Sequence, residues 1–478
     1  MSCGPLPLVL VGADCDAAGV HLVNAPGYGR SRSVVVLLIV LALVAAACGS
    51  DGDGGDATGD GRVPAEDTGG AEDEEVQPIG FVGAEVPPDD PGEVPAADVE
   101  AVAVGDTQLG LDLLVLAGAE GNNVFLSPYS VASALGMLLA GARGATNDEI
   151  AAVLSVDDEN AFHPARGALT AAVTTPAAVA GDEAEPFTLR AANQLFGQDG
   201  FPFVDAYLEL LARSYGADMG VVDFASQPEA ARQLINGWVE EQTEERIVDL
   251  IPEGVISALT RLVLVNAVYF KANWREPFDP AATTPETFRD LDGTSGPVDM
   301  MHGMIGAGYA AGDGYEAFRL SYAGDTTSML VVMPDEGTLV DFVGRLDAPA
   351  LAAIGDALES TQLELAFPSF EFTTALGLRP LLEELGMIRA FDAPGADGAD
   401  LTGITAEQVL FVQDALHQAF VSVDEEGTEA AAATAVAVGL TAVPEVVPVR
   451  VDRPFLFVIE HDGTRETIFI GQVTQLAG

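Results

Sequence analysis

The spacing of apolar side chains changes several times along the chain after residue 98. Apolar residues recur at helical spacing over residues 107–119, and further along they form short continuous runs between polar stretches. Runs of this length predict buried β-strands. The clearest are residues 262–270, 328–333, 363–367, 455–459 and 467–471. Because helical patterns come early and strand patterns come late, the sequence predicts an α+β fold.

The first 48 residues have a different pattern. An apolar run over residues 34–47 follows Arg30 and Arg32, and it is too short for a membrane span of about 20 residues but long enough for a signal peptide. The run ends in Ala-Ala-Ala-Cys48-Gly-Ser, which resembles the lipobox of bacterial lipoproteins, although Ala45 stands where leucine is usual. We therefore expect export, lipidation at Cys48, and anchoring on the outer face of a bacterial cell membrane. Plain secretion with an incidental cysteine is the alternative.

Composition divides the rest of the chain. Residues 49–97 are mostly Gly, Asp, Glu, Ala and Pro, a composition that does not bury enough surface to fold, and they are predicted to be a disordered acidic linker. The apolar patterns then continue to the C-terminus without another such stretch, so residues 98–478 are predicted to be one domain. All three cysteines, Cys3, Cys15 and Cys48, precede that domain, which therefore contains no disulfide.

The charge of the chain excludes several functions. There are 20 Lys and Arg against 74 Asp and Glu, a formal net charge of -54, and Lys271 is the single lysine. Binding of nucleic acid or anionic lipid through a basic surface is excluded by this balance. The membrane contact is then expected through the lipid anchor alone.

A more specific pattern begins at Asn123-Val-Phe-Leu-Ser-Pro-Tyr-Ser. Ser127 can cap a helix whose first residue is Pro128, and the sequence Gly141-Ala-Arg-Gly can end it. Thr146 and Glu149 have the spacing of a capping box for the next helix. The whole stretch resembles the second-helix signature of the serpin family.

Four further segments resemble serpins in the same order, and they are residues 192–196, 235–251, 264–274 and 452–457 with 470–471. Trp238 and Trp274 stand where serpins place tryptophan. The resemblance implies a serpin fold, in which many helices lie on a large mixed sheet with further sheets and an exposed reactive-centre loop. It also implies a monomeric suicide-substrate inhibitor of serine proteases, with cysteine proteases as a second target class.

The segment from Val423 to Ala435 resembles the hinge of an inhibitory serpin's loop, which inserts into the central sheet after cleavage. The hinge residues are Glu425, Glu426, Gly427, Thr428, Glu429, Ala430, Ala431, Ala432, Ala433 and Thr434. A central strand needs every backbone N–H, and no proline occurs from Glu425 to Val443. Every second residue from Thr428 is small or β-branched and uncharged, so one face can be buried. The same Ala-rich run taken alone would also be read as a helix.

An uncharged hinge face predicts inhibition, and a non-inhibitory serpin-fold surface lipoprotein that binds or scaffolds is the alternative. The family's usual hinge-to-cleavage distance implies a reactive bond between Thr441 and Ala442, with Leu440 or Val443 as alternates. These residues are small or aliphatic. They favour proteases of elastase or subtilisin preference over trypsin-like enzymes.

Further residues match family positions. Ser127, Ser130, Asn266 and His417 match the polar cluster under the opening sheet, and Trp274 matches the point where the loop enters it. The chain's five histidines are scattered, and the sequence contains no Gly-x-Ser-x-Gly or His-Glu-x-x-His motif. We therefore expect no enzymatic activity, no cofactor and no metal site.

Overall fold

The computed structural model describes residues 78–175, 188–393, 395, 397–406, 410–428 and 446–476. The helices in these residues are α1 (Ala96–Ala117), α2 (Pro128–Gly141), α3 (Gly144–Val153), α4 (Glu159–Thr174), α5 (Asp205–Leu210), α6 (Pro228–Gln242), α7 (Leu339–Val343), α8 (Ala348–Asp356) and α9 (Leu378–Glu384). Within these ranges, none of the helices has the length and hydropathy that a membrane crossing requires.

The strands of the described residues are β1 (Gly80–Val82), β2 (Val124–Leu126), β3 (Thr188–Gln198), β4 (Met219–Val222), β5 (Leu262–Asn273), β6 (Thr284–Arg289), β7 (Ser295–Gly312), β8 (Tyr315–Ser321), β9 (Thr327–Pro334), β10 (Glu359–Pro368), β11 (Phe370–Gly377), β12 (Ala415–Val423), β13 (Gly427–Thr428), β14 (Val446–Arg450), β15 (Phe455–His461) and β16 (Glu466–Val473). All five predicted strands fall within these bounds. The predicted helix at residues 107–119 lies in α1, which begins eleven residues earlier and ends two earlier.

The strands form two sheets. The central sheet has the order β1-β4-β3-β5-β13-β12-β11, and β5 also pairs directly with β12. The second sheet has the order β14-β10-β7-β8-β9-β15-β16-β2, and β6 is added on β7. Helices and sheets of this kind agree with the predicted α+β class.

Both faces of β5 are buried, which explains its long uninterrupted apolar run. On one face, Leu264, Val268 and Phe270 belong to the main hydrophobic core, which contains α2 and the second sheet. On the other, Val263, Val265 and Ala267 form a smaller core with Ile235 and Val239 of α6. We call the first the inner face of the central sheet and the second its outer face.

The predicted boundary between linker and domain at residue 97 is wrong, because the folded part begins earlier. β1 pairs antiparallel with β4, and Ile79 packs against the smaller core. Asp89 accepts a hydrogen bond from the Ser214 hydroxyl at 2.8 Å and forms an ion pair with Arg213 at 3.0 Å. Composition misses this segment because its order depends on hydrogen bonds to a distant partner. We call residues 78–95 the strap.

The capping box predicted for α3 is also wrong. The helix begins at Gly144, so Thr146 and Glu149 lie inside it. The Thr146 hydroxyl accepts a hydrogen bond from the Asp400 backbone N–H, and the Glu149 carboxylate accepts from those of Ile388 and Arg389. Both side chains therefore hold distant loops instead of their own helix end.

Candidate functional site

The central sheet contains two parallel strands that are joined over only part of their length. β5 and β12 pair directly from Leu264 opposite Ala415 to Val268 opposite Ala419. Beyond that point they continue without direct pairing, and near their far ends β13 lies between them. In the part of the chain that the structure describes, the sheet therefore has a partial opening between two strands that are paired elsewhere.

β13 consists of the first hinge residues, Gly427 and Thr428. Gly427 lies opposite Asn273, and Thr428 lies opposite both Ala272 of β5 and Val423 of β12. A Cβ atom added to Gly427 would lie 2.2 Å from the Ala272 carbonyl oxygen, so only glycine fits here. Thr428 is 2% exposed. The hinge thus begins inside the sheet, antiparallel to both neighbours.

A tight turn reverses the chain between β12 and β13. The Asp424 carboxylate accepts hydrogen bonds from the backbone N–H groups of Glu426 at 2.9 Å and Gly427 at 3.1 Å. The Asp424 N–H donates to the Gly427 carbonyl at 2.9 Å. This is an Asx-type turn, in which a short acidic side chain replaces backbone partners. Sequence analysis missed its role, although an aspartate three residues before a glycine is a recognisable turn signal.

Trp274 lies against this turn. Its indole N–H donates to the Asp424 carbonyl at 3.0 Å, and its backbone N–H donates to the Glu426 carbonyl at 2.8 Å. Its ring stacks on Tyr322 with centroids 4.6 Å apart, and the Tyr322 hydroxyl shares a 2.8 Å hydrogen bond with the Thr428 hydroxyl. Trp274 therefore stands beside the hinge, and its role as the entry point of the loop stays a prediction. Tyr322 was not predicted, because an aromatic residue directly after a strand ordinarily indicates core packing.

Glu425 is held at the same end of the sheet. Its carbonyl accepts a hydrogen bond from the Phe278 N–H at 2.8 Å, and its carboxylate accepts from the Thr283 hydroxyl at 2.5 Å. Together with the Trp274 contacts, these bonds fix the backbone of residues 424–428. The start of the hinge is therefore preorganised.

A polar cluster crosses β5 and β12 on the inner face, at the level where the strands are still paired. The Nδ1 atom of His417 contacts the Asn266 carbonyl oxygen, and its Nε2 atom accepts a 3.2 Å hydrogen bond from the Ser127 backbone N–H. Asn266 donates to the Ser130 hydroxyl at 2.7 Å. All four predicted residues come together here.

The charge state of His417 follows from these contacts. A backbone N–H only donates, so Nε2 carries no proton, and the single ring proton lies on Nδ1, where it is donated to Asn266. Burial lowers the pKa of His417 to about 3, because the charged form loses its hydration. The ring is therefore neutral over the physiological range.

The cluster extends to neighbours that sequence analysis missed. Asn193 of β3 accepts hydrogen bonds from Asn266 at 2.8 Å and from the Ser130 hydroxyl. The Ser127 hydroxyl caps α2 by accepting from the Ser130 N–H at 3.2 Å, and it donates to the Ile468 carbonyl of β16 at 2.6 Å. Five elements, α2, β3, β5, β12 and β16, therefore meet at one buried polar site. Asn193 lies in the segment 192–196 that resembles serpins, and this was the available signal for it.

Several predicted residues lie outside the described residues. They are the later hinge residues Glu429, Ala430, Ala431, Ala432, Ala433 and Thr434, the reactive-bond candidates Leu440, Thr441, Ala442 and Val443, and the lipidation site Cys48. Among residues that the structure does describe, no group of three or more His, Cys, Asp or Glu side chains is arranged to hold a metal ion.

Comparison with known proteins gives consistent results. A family model described as Serpin (serine protease inhibitor) matches residues 105–476. An uncharacterized serpin-like protein of Thermococcus kodakarensis is 37% identical over 366 residues, covering 76% of this chain and 83% of that protein. The leukocyte elastase inhibitor of Sus scrofa is 35% identical over 389 residues, covering 79% of this chain and 100% of that protein.

A solved structure has the same fold. The crystal structure of tengpin, a thermophilic serpin in its native state, superimposes with a TM-score of 0.72 and 23% sequence identity. The match covers 84% of this chain and 100% of that one.

Proposed function

The chain belongs to the serpin family of serine protease inhibitors, and a relative is named leukocyte elastase inhibitor, so we propose that it is a suicide-substrate inhibitor of serine proteases. It offers its loop for cleavage and traps the acyl-enzyme by inserting the cut segment between β5 and β12. Cysteine proteases that form an equivalent acyl-enzyme are a second target class.

One observation carries this proposal: Gly427 and Thr428 already lie between β5 and β12 as a strand. A strand that continues in this register replaces the parallel β5–β12 pairs with two antiparallel pairings, which is strand addition within one molecule. The following residues of the segment have no proline and no charge on their inward face. Nothing in the sequence of the hinge opposes further insertion.

The trapping chemistry needs only the protease's own nucleophile. Its serine oxygen attacks the Thr441 carbonyl carbon, the Thr441–Ala442 peptide bond breaks, and the hydroxyl proton leaves on the new amino group of Ala442. An ester then joins Thr441 to the protease. Insertion that is faster than attack of water on this ester carries the protease with it. The partner of the chain is therefore the protease itself, and the chain performs no catalysis.

The residues beside the reactive bond determine the target. Thr441, with Leu440 or Val443 as alternates, is small or aliphatic, which suits enzymes of elastase or subtilisin preference. The name of the Sus scrofa relative, leukocyte elastase inhibitor, supports the same class. Trypsin-like proteases are not expected targets, because they require arginine or lysine before the bond.

The test is incubation with pancreatic elastase, subtilisin and trypsin, followed by denaturing electrophoresis. We expect a complex that survives SDS with elastase or subtilisin, and none with trypsin. N-terminal sequencing of the released fragment should begin at Ala442 or within two residues of it. Cleavage of the loop without any stable complex would overturn the proposal, and cleavage after Arg450 would overturn the target class.

Thr428→Arg provides a matched variant. An arginine cannot be buried beneath Tyr322 without an unpaired charge, so insertion should stall and the variant should become a substrate. Thr428→Ser keeps the hydroxyl that bonds to Tyr322 and should remain an inhibitor. Complex formation that is equal in both variants would contradict the insertion mechanism.

The location of the inhibitor is part of the proposal. A lipid on Cys48 would tether the domain outside the membrane through the acidic segment that follows. Cys48→Ser should release the protein into the medium and abolish incorporation of labelled fatty acid. Release of the unaltered protein without a label would instead support plain secretion.

A further inference from the structure

The strap enters the central sheet at the end opposite the hinge. One row of paired residues crosses four strands there, and it consists of Gly80, Val221, Gly197 and Leu262. Leu262 is the first residue of β5, and the hinge residue Thr428 lies opposite Ala272, ten residues further along that strand. At about 3.3 Å per residue, the strap and the hinge are roughly 33 Å apart along the sheet. We call the end marked by Gly80 and Leu262 the far pole.

The direction of β1 decides where the preceding chain leaves the domain. β1 is antiparallel to β4, β4 is parallel to β3, and β3 is antiparallel to β5, so β1 and β5 run in the same direction. Ile79 packs against the smaller core, and the Asp89 backbone N–H donates to the Arg213 carbonyl at 3.1 Å, so contacts on both sides of β1 fix this entry. Because β5 runs from the far pole toward the hinge, the chain that precedes the strap leaves the domain at the far pole.

Under the proposed function, the segment that inserts after cleavage reaches the same pole. β13 is antiparallel to β5, so each residue after Thr428 moves one position toward Leu262. Thr441 follows Thr428 by thirteen residues, and in a continuous register it comes three positions beyond Leu262. At about 3.3 Å per residue, this is roughly 10 Å past the start of β5. A protease held as an ester on Thr441 is therefore carried from the hinge to the far pole.

The carried protease and the departing chain then occupy neighbouring space. A strand inserted between β5 and β12 lies four strand spacings from β1, which is about 19 Å. A protease of about 240 residues has a radius of gyration of about 18 Å and a diameter of about 45 Å. Its radius thus exceeds its sideways distance from β1. The captured protease therefore lies beside the point where the chain leaves the domain toward Cys48.

We propose that residues 49–77 serve as a spacer, whose length gives a captured protease room between the far pole and the membrane that holds Cys48. The inference rests on the proposed function, because it needs both insertion of the loop and anchoring at Cys48. Thirty peptide units join Cys48 to Pro78, and they span at most about 100 Å, which is more than twice the diameter of the protease. The uncleaved inhibitor needs no such room, since its hinge is at the opposite end of the sheet.

The step that depends on the spacer distinguishes this role from a simpler one. A segment that only raises the loop above the membrane changes how often a protease reaches the reactive bond, so it changes the rate of first cleavage. A spacer for the captured protease acts after that cleavage. It changes the fraction of cleaved chains that end in a stable complex, because obstructed insertion gives water time to attack the ester.

The experiment uses the full chain with Cys3→Ser and Cys15→Ser, coupled through Cys48 to a maleimide lipid in phosphatidylcholine vesicles. A shortened variant lacks residues 51–72, so that eight peptide units join Cys48 to Pro78 and span at most about 27 Å. A matched control replaces the same twenty-two residues with glycine and serine, which keeps the length and removes the acidic sequence. Each chain is incubated with pancreatic elastase and with subtilisin, on vesicles and free in solution.

On vesicles, we expect first cleavage of the shortened variant to match that of the full-length chain within about twofold, and its fraction of cleaved chains in SDS-stable complexes to fall to about half or less. The glycine–serine control should match the full-length chain in both quantities. Free in solution, all three chains should give equal fractions, which also checks that each of them is folded.

Equal complexed fractions for the shortened and full-length chains on vesicles would overturn the spacer. An equal loss free in solution would overturn it too, because no membrane is then present, and a loss in the glycine–serine control would contradict a role of length. Slower first cleavage with an unchanged complexed fraction would show that the segment only raises the loop. Failure of the proposed function gives a different result, in which the full-length chain forms no SDS-stable complex on vesicles or in solution.

Discussion

Two histidines of the domain are buried in neutral form. Burial lowers the pKa of His417 to about 3, and it lowers that of His163 to about 4, with the nearby Arg166 as a second cause. In the unfolded chain an imidazole titrates near 6.5. At a pH between the folded and the unfolded pKa of each histidine, the unfolded state therefore binds more protons than the folded state. The free energy of unfolding must fall as the pH is lowered from about 6.5 toward the folded pKa values.

His417→Gln is expected to reduce this pH dependence. Each such histidine contributes a slope of about 1.4 kcal/mol per pH unit, so between pH 6.5 and 5 the variant should lose about 2 kcal/mol less than the unaltered protein. Urea unfolding at the two pH values measures the difference. His163→Gln should give a similar reduction over the same interval. An unchanged pH dependence in both variants would show that the imidazoles are protonated in the folded state.

At the scale of elements, the strap depends on one carboxylate. Asp89 contacts Arg213, Ser214 and, through its own backbone N–H, the Arg213 carbonyl. The guanidinium of Arg213 is about half exposed, so the ion pair itself contributes little and the hydrogen bond to the buried Ser214 contributes more.

Asp89→Ala is expected to cost about 1–2 kcal/mol of stability and to loosen the pairing of β1 with β4. Hydrogen exchange of the β4 amides, Met219 to Val222, is the direct measurement. Glu85→Ala removes a carboxylate from an exposed residue of the same strap and serves as the control. Exchange that is equally fast in both variants would mean that Asp89 does not hold the strap.

The elements that sequence patterns predicted best are those whose burial is continuous. Four strands, β5, β9, β15 and β16, are buried along nearly their whole length. Their continuous apolar runs were therefore sufficient to predict them from the sequence. β1 and β13 were missed as strands because each is very short and exists through hydrogen bonds to a distant partner. β13 also begins an Ala-rich run, whose local preference is helical.

The residues of the candidate site likewise divide into those that sequence motifs identified and those that only the structure shows. Ser127, Ser130, Asn266 and His417 were identified from motifs, and the structure brings them together. Asn193 and Tyr322 were not, because their roles come from the register of neighbouring strands. Motifs identify residues, whereas contacts between distant elements have to be measured.

At the scale of the whole molecule, the predicted α+β serpin fold is confirmed, and among the described residues β5 and β12 pair directly over only part of their length. Cleavage of the loop should allow the segment after Thr428 to complete the sheet. Some ten residues that each gain about one net hydrogen bond, worth about 1 kcal/mol, would raise the thermal midpoint of a domain of this size by roughly 10 °C.

Scanning calorimetry before and after limited elastase digestion measures this rise. Thr428→Arg, cleaved at the same bond, should show a much smaller increase, because its segment does not insert. A midpoint unchanged by cleavage in the unaltered protein would favour the alternative of a non-inhibitory binding or scaffold module.

The pairing of β5 with its neighbours also sets a length. Thr428 lies opposite Ala272 of β5. The direct β5–β12 pair that is farthest from it is at Leu264, eight residues nearer the start of β5. At about 3.3 Å per residue, a strand that fills this distance travels roughly 26 Å. A misplacement of about 1 Å can slow catalysis about a hundredfold, so under the proposed mechanism an enzyme pressed against the inhibitor over that distance would lose the geometry that hydrolyses its ester. If the loop inserts as proposed, the length of the central sheet sets how far a bound protease is displaced, and a shorter sheet would favour its release over its capture.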